Sequence, residues 1–106
     1  TQNSSKQSTL ADVGTRALMS LDVNGALGNL IRREDWVGLR QSLDILLPAG
    51  VSFNLTIYDE SLRVVNGQVI QSTSLLGRET ASVQYTCVSE SPSVRFFVLR
   101  LQLAWV

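Results

Sequence analysis

The hydrophobic period of this chain changes once, across Pro48-Ala49-Gly50, and no other feature restricts its fold so tightly. Upstream, apolar residues recur every three or four positions. Downstream, they alternate with polar ones. These periods are those of a helix presenting one face and a strand presenting one face. Two patterns gathered in separate blocks predict helices first, then a sheet whose strands are joined by short turns. Short turns make neighbouring strands antiparallel.

The upstream block reads as two helices. Leu10, Val13, Ala17, Leu18 and Leu21 share one helical face, with Thr9 and Asp12 in capping-box positions and Asn24-Gly25 as the stop. Trp36, Leu39, Leu43, Leu46 and Leu47 share a second face, opened by Asp35 as N-cap and closed by Pro48 and Gly50. Between them Val23, Ala26, Leu27, Leu30 and Ile31 keep helical spacing, so a short second turn of helix is expected to bridge to the next element, weakened by Gly25 and Gly28.

The downstream block reads as four or five strands. Val51, Phe53, Leu55 and Ile57 alternate with Ser52, Asn54, Thr56 and Tyr58. Asp59-Glu60-Ser61 is a turn, Leu62 to Val65 a short returning strand, and Asn66-Gly67 the type I′ hairpin dipeptide leading into Gln68 to Ser72. Ser74 to Gly77 connect to a strand in which Ala81, Val83, Tyr85 and Cys87 alternate with Ser82, Gln84 and Thr86. After a turn at Ser91-Pro92-Ser93, Phe97, Leu99, Leu101, Leu103 and Trp105 line one side of a long interior strand. The expected architecture is therefore α+β: two N-terminal helices on one face of a four- to five-stranded antiparallel sheet. Asn54, Thr56, Gln84, Thr86, Arg100 and Gln102 would lie on the other face. Residues 1–9 (TQNSSKQST) are read as a polar tether and 10–106 as one domain. Thr1 stands where a methionine would open a gene product, which reads as a processed or trimmed start.

Composition then removes whole classes of function. The chain of 106 residues has no histidine, which excludes imidazole-based triads, relays and zinc sites. Its single cysteine excludes an intrachain disulfide and a cysteine-cluster metal site. Nine basic residues balance nine acidic ones, so no electrostatic case exists for nucleic acid or an anionic surface. No stretch approaches the ~20 apolar residues that span a bilayer, and no signal-peptide pattern is present.

The remaining chemistry-bearing residues each have a plain alternative. Cys87 is either a nucleophile or a small buried hydrophobe, and with no histidine to activate it the second reading is preferred. Glu34-Asp35 serves more simply as a helix start than as a catalytic pair. Asp59-Glu60-Ser61 has calcium-compatible oxygens but not the spacing of an EF-hand loop. Gly25-Ala26-Leu27-Gly28 follows a helix rather than a strand and lacks a phosphate-loop lysine. Arg32-Arg33 forms a mixed-charge connection with Glu34-Asp35. Asn3-Ser4-Ser5 and Asn54-Leu55-Thr56 are glycosylation sequons, the second on the outward phase of its strand. No residue is assigned as catalytic, cofactor-binding or metal-ligating, and no cofactor is expected.

The run ALMSLDVNGALGNLI, the helix closing in LPAGVSFNLTIYDE, and the terminal VLRLQLAWV together resemble archaeal pilin-like secreted proteins. The resemblance covers most of the chain from Leu10 onward. It implies a small helix-plus-sheet domain displayed outside the cell, tethered to the membrane through an N-terminal hydrophobic helix that lies outside this sequence. It also implies a non-catalytic surface or assembly subunit that meets protein partners or its own copies, with no functional residues carried over position by position. An extracellular ligand- or protein-binding, sensing module is the alternative.

Overall fold

The computed structural model describes the backbone of residues 2–23, 25–72, 75, 77–89 and 94–105, with side chains from Thr9 onward. The elements run α1 (Gln2–Asp22), α2 (Ala26–Arg32), α3 (Trp36–Leu46), β1 (Val51–Tyr58), β2 (Ile70–Gln71), β3 (Ala81–Ser89) and β4 (Arg95–Trp105). The fold is α+β, with three helices and one four-stranded antiparallel sheet ordered β2-β1-β4-β3.

The helical block contains one helix more than expected. Gly25 sits at φ 73, a left-handed conformation open to glycine, and its N–H donates to the Asp22 carbonyl. The short helical turn expected here extends to the seven residues of α2, in which Leu27 and Ile31 find full burial. A Cβ on Gly28 would lie 3.7 Å from the Ser89 backbone, an ordinary packing distance, so α2 rests against the end of β3. Glu34, at φ 57, closes α2: its N–H bonds to the Ile31 carbonyl and that of Asp35 to the Leu30 carbonyl. That pair of bonds is the Schellman pattern, carried here by a glutamate. Asp35 caps α3 as expected, accepting the Gly38 N–H at 3.0 Å.

At the N-terminus, α1 begins at Gln2, so the backbone of 2–9 is helical. Helix runs straight through Thr9 and Asp12, and the capping box marks no boundary. Further on, Gly14 allows α1 to press onto the sheet: a Cβ there would stand 2.7 Å from Leu103 Cδ1 and 3.1 Å from Leu101 Cδ2. Leu10, Ala17, Leu18 and Leu21 complete the buried face of α1, with Val13 partly buried beside them.

The strand block contains fewer strands than the hairpin signal suggested. Leu62 to Val65 form only an isolated bridge, Tyr58 with Val64, and Gln68 to Ser72 shrink to the two residues of β2. Neither Asn66 nor Gly67 adopts positive φ, so no type I′ turn exists. Asn66 instead accepts the Ile57 N–H on its side-chain oxygen at 2.9 Å and donates to the Gln68 carbonyl. A side chain has taken the place of a strand residue, and the chain bulges past it. Ser72 does the same lower down, its hydroxyl accepting from Phe53 N–H and its own N–H reaching the Phe53 carbonyl. The turn expected at Ser91-Pro92-Ser93, and Ser74 and Leu76 of the Ser74 to Gly77 connection, lie outside the described residues.

Phe53, Leu55, Ile57, Val83, Cys87, Phe97, Leu99, Leu101 and Leu103 share one phase of the sheet and form one core with the buried sides of the helices. β4, flanked by β1 and β3, is the interior strand that its length suggested. Trp105 lies in the core phase but at the strand end, where it stays 43% exposed.

Candidate functional site

Two places gather polar groups that the core does not require. The first is where α1 ends over β3. Tyr85 donates its hydroxyl to one oxygen of Asp22 at 2.6 Å, and the Cys87 thiol donates to the other at 3.7 Å. Strand alternation puts both donors on the same side two residues apart, and the C-terminus of α1 brings the carboxylate between them. The Asp22 hydrogen bond, followed by desolvation, pushes the Tyr85 phenol up to about 12. Burial, followed by the Asp22 charge, pushes the Cys87 thiol up to about 12 as well. Nucleophilic chemistry needs the reverse, a thiolate made stable near neutral pH. Cys87 is buried and protonated, as the preferred reading of the sequence has it. A neighbouring cleft of about 340 Å³ is lined by Asp22, Gly25, Gly28, Asn29, Arg32, Val88 and Ser89, with Arg32 donating to the Asn29 side-chain oxygen.

No sequence signal marked Asp22, because its partners stand 63 and 65 residues away. Only the α1–β3 packing brings the three together.

The second place is the sheet face away from the core. Register fixes its rows: Asn54–Gln102–Ser82, then Thr56–Arg100–Gln84, then Tyr58–Val98–Thr86, then Phe96–Val88. The first two rows are polar and the last two largely apolar. Gln84, Thr86 and Arg100 are exposed as expected, while Asn54, Thr56 and Gln102 are half-buried. Leu62, held at φ 62 in the turn after β1, is 70% exposed. It shares a groove of about 330 Å³ with Tyr58, Gln84, Val98 and Arg100. Phe96 at 48% and Val88 at 43% extend the apolar area. Clustered exposed apolar side chains with a polar rim mark an interaction surface more often than isolated ones do. The sequence did carry this signal: Val88, Phe96 and Val98 all fall on the outward phase of their strands.

The smaller candidates resolve into structural roles. Asp59 accepts the backbone N–H groups of Ser61 and Arg63, bonds that hold its carboxyl below the usual range, so the oxygens considered for calcium shape the turn. Glu60 accepts the Phe96 N–H and stands 3.9 Å from Arg95, which in turn lies over the Phe97 ring. Among the described residues no group of three or more His, Cys, Asp and Glu side chains is placed to hold a metal ion. Asn54 of the second sequon donates its amide to Gln71 across the β1–β2 pair. The Asn3 side chain lies outside the described residues. No described helix is long and apolar enough to cross a membrane.

The site thus defined is a surface, an apolar sheet face rimmed by Arg100, Gln84 and Thr86. No protein-family model matches the chain, and no curated protein or solved structure matches it either.

Proposed function

We propose that this chain is a non-catalytic extracytoplasmic domain of a membrane-anchored, pilin-like cell-surface or assembly protein, and that its open sheet face meets protein partners. The observation that carries the reading is the concentration of Tyr58, Phe96, Val98 and Val88 on the outward phase of the sheet, beside the exposed Leu62 of the turn after β1. Apolar exposure is costly for a lone domain and useful in an assembly. The neutral, hydrogen-bonded state of Cys87 and Tyr85 supports the absence of covalent catalysis. Membrane attachment belongs, on this reading, to a segment outside the chain, and neither nucleic acid nor a cofactor takes part.

The test uses the full gene product in its own host. Protease added to intact cells should degrade the domain, and the pair Leu62→Ser with Phe96→Ser should release it from its surface assembly without unfolding it. Protection from protease in intact cells would overturn the extracytoplasmic placement. Unchanged assembly by the double variant would overturn the role of the face.

An extracellular binding or sensing module is the second reading, favoured by the groove between Leu62 and Arg100. A small ligand in that groove would protect Leu62→Cys from a thiol reagent, whereas a protein partner would protect Phe96→Cys and Val88→Cys too.

A further inference from the structure

The sheet has two edges, and the chain closes only one of them. Along β1, the backbone of Arg63, Val65 and Ser72 and the side chains of Asn66 and Ser72 meet the outward-facing groups of Phe53, Ile57 and Asp59. β2 fills the gap between them at Asn54 and Leu55. Along β3, among the described residues, no hydrogen bond from outside the sheet reaches the backbone. α2 leans on the Val88 carbonyl and on Ser89, while Ser82, Gln84 and Thr86 are exposed.

An edge strand turns every second peptide group away from its neighbour, and those groups form a template for another strand. Natural edges are blunted by charge, proline, a bulge or shortness. β3 uses none of these devices. Its sequence ASVQYTCVS carries no charged residue and no proline, and its register with β4 is unbroken from Ala81↔Leu103 to Ser89↔Arg95.

We propose that β3 pairs antiparallel with β3 of a second copy, joining two four-stranded sheets across a two-fold axis at Gln84 or Tyr85. An axis at Gln84 sets that residue against its own copy and Thr86 against Ser82. An axis at Tyr85 sets Gln84 against Thr86. In both arrangements every cross-strand contact is uncharged, so a copy of the chain meets no repulsion, and the edge carries no charge with which to select a foreign peptide. A two-fold axis that keeps the sheet continuous runs perpendicular to it, so the two open faces lie on the same side and form one wider surface. The contact is isologous and closes at two copies. The inference deepens the assembly reading and rests on it for its biological sense, while its physical basis is the strand edge and not the apolar face.

Two variants test it, both changed only at exposed outward positions. One carries Gln84→Lys with Thr86→Lys, the other Gln84→Glu with Thr86→Glu. By sedimentation equilibrium the unaltered chain should reach twice its 11.6 kDa mass, each variant alone should stay at the single mass, and their equimolar mixture should recover the double mass. Circular dichroism and denaturation midpoints should match throughout. A chain that stays monomeric at every concentration would overturn the pairing, and so would a lysine variant that still doubles. Leu62→Ser with Phe96→Ser should still double in mass, which separates failure of the edge from failure of the open face.

Discussion

The two faces of the sheet are built from the same three long strands, yet one forms a single core with the buried sides of the helices, while the other is exposed over much of its length and buried at Ser52 and Ala104. On the closed face Phe53, Ile57, Cys87, Leu99, Leu101 and Leu103 are sealed from solvent. One residue along each strand, Thr86, Gln84 and Arg100 meet water, with Phe96 and Val88 exposed among them. The difference lies in phase, not in composition by segment: β4 alternates FLLL inward with FVRQ outward. Helices that supply a single apolar face apiece have enough surface to cover one side of a sheet. The other side carries Phe96, Val98 and Val88 beside its polar rows.

The comparison breaks most violently at Leu101. This residue is fully buried at the centre of β4, between Leu55 of β1 and Val83 of β3, with Gly14 of α1 pressed against it. Leu101→Ala should destabilise the fold by about 2–5 kcal/mol, from lost apolar burial and the cavity left behind. Chemical denaturation monitored by circular dichroism measures it. A loss below about 1 kcal/mol would mean that the helices do not seal this face as tightly as the geometry requires.

That phase was legible in the sequence because alternation is a property of neighbouring residues. The core face of α1, the Asp35 cap, the stop at Gly25 and the alternation of β1, β3 and β4 all rest on interactions within a few positions. What escaped was decided at longer range. α2 reads as a short helical turn weakened by Gly25 and Gly28, and its length shows only where it packs beside Ser89. Asn66-Gly67 reads as a hairpin, but the Ile57 amide captures the asparagine side chain and the turn conformation is never adopted. No apolar stripe marks segment 2–9 as helix, yet its backbone continues α1. The candidate surface was half legible. Its polar residues were expected outward, while its apolar members stood in the same phase and acquire meaning only when register places them in adjoining rows. Asp22 was wholly illegible, since its contacts depend on where α1 ends over β3.

Asp22 also gives the comparison a pH dependence of intermediate size. Tyr85 and Cys87, both on the core-facing phase, are raised from 10.0 and 9.0 to about 12 in the fold. A group raised on folding is more easily deprotonated in the unfolded chain. Its stabilising contribution is complete below the unfolded value and disappears as pH climbs through the folded one. Stability should therefore hold steady around neutrality and fall from about pH 9 toward 12. Tyr85→Phe should flatten the upper part of that fall, since phenylalanine cannot ionise, and Cys87→Ala the lower part. Denaturation midpoints measured across the alkaline range check this. An unchanged slope in both variants would remove the Asp22 cluster as the source of the alkaline sensitivity.

The smallest effect belongs to the open face, and its smallness is the informative quantity. Gln84 lies outward on β3, exposed, in the row it shares with Arg100 and Thr56. Removing its amide leaves no buried group without a partner and no cavity. Gln84→Ala should then change folding stability by no more than about 0.5 kcal/mol, the range usual for exposed positions. Thr86→Ala, next along the same phase, should behave alike, apart from a slight loss of strand preference. Measured beside Leu101→Ala under one set of conditions, the pair gives the contrast between faces as a single difference. If Gln84→Ala cost as much as Leu101→Ala, the outward phase of β3 would be packed within the domain. The rows of Thr56, Arg100 and Gln84 would then be interior, and neither the open face nor the charge variants at Gln84 and Thr86 could report on association separately from folding.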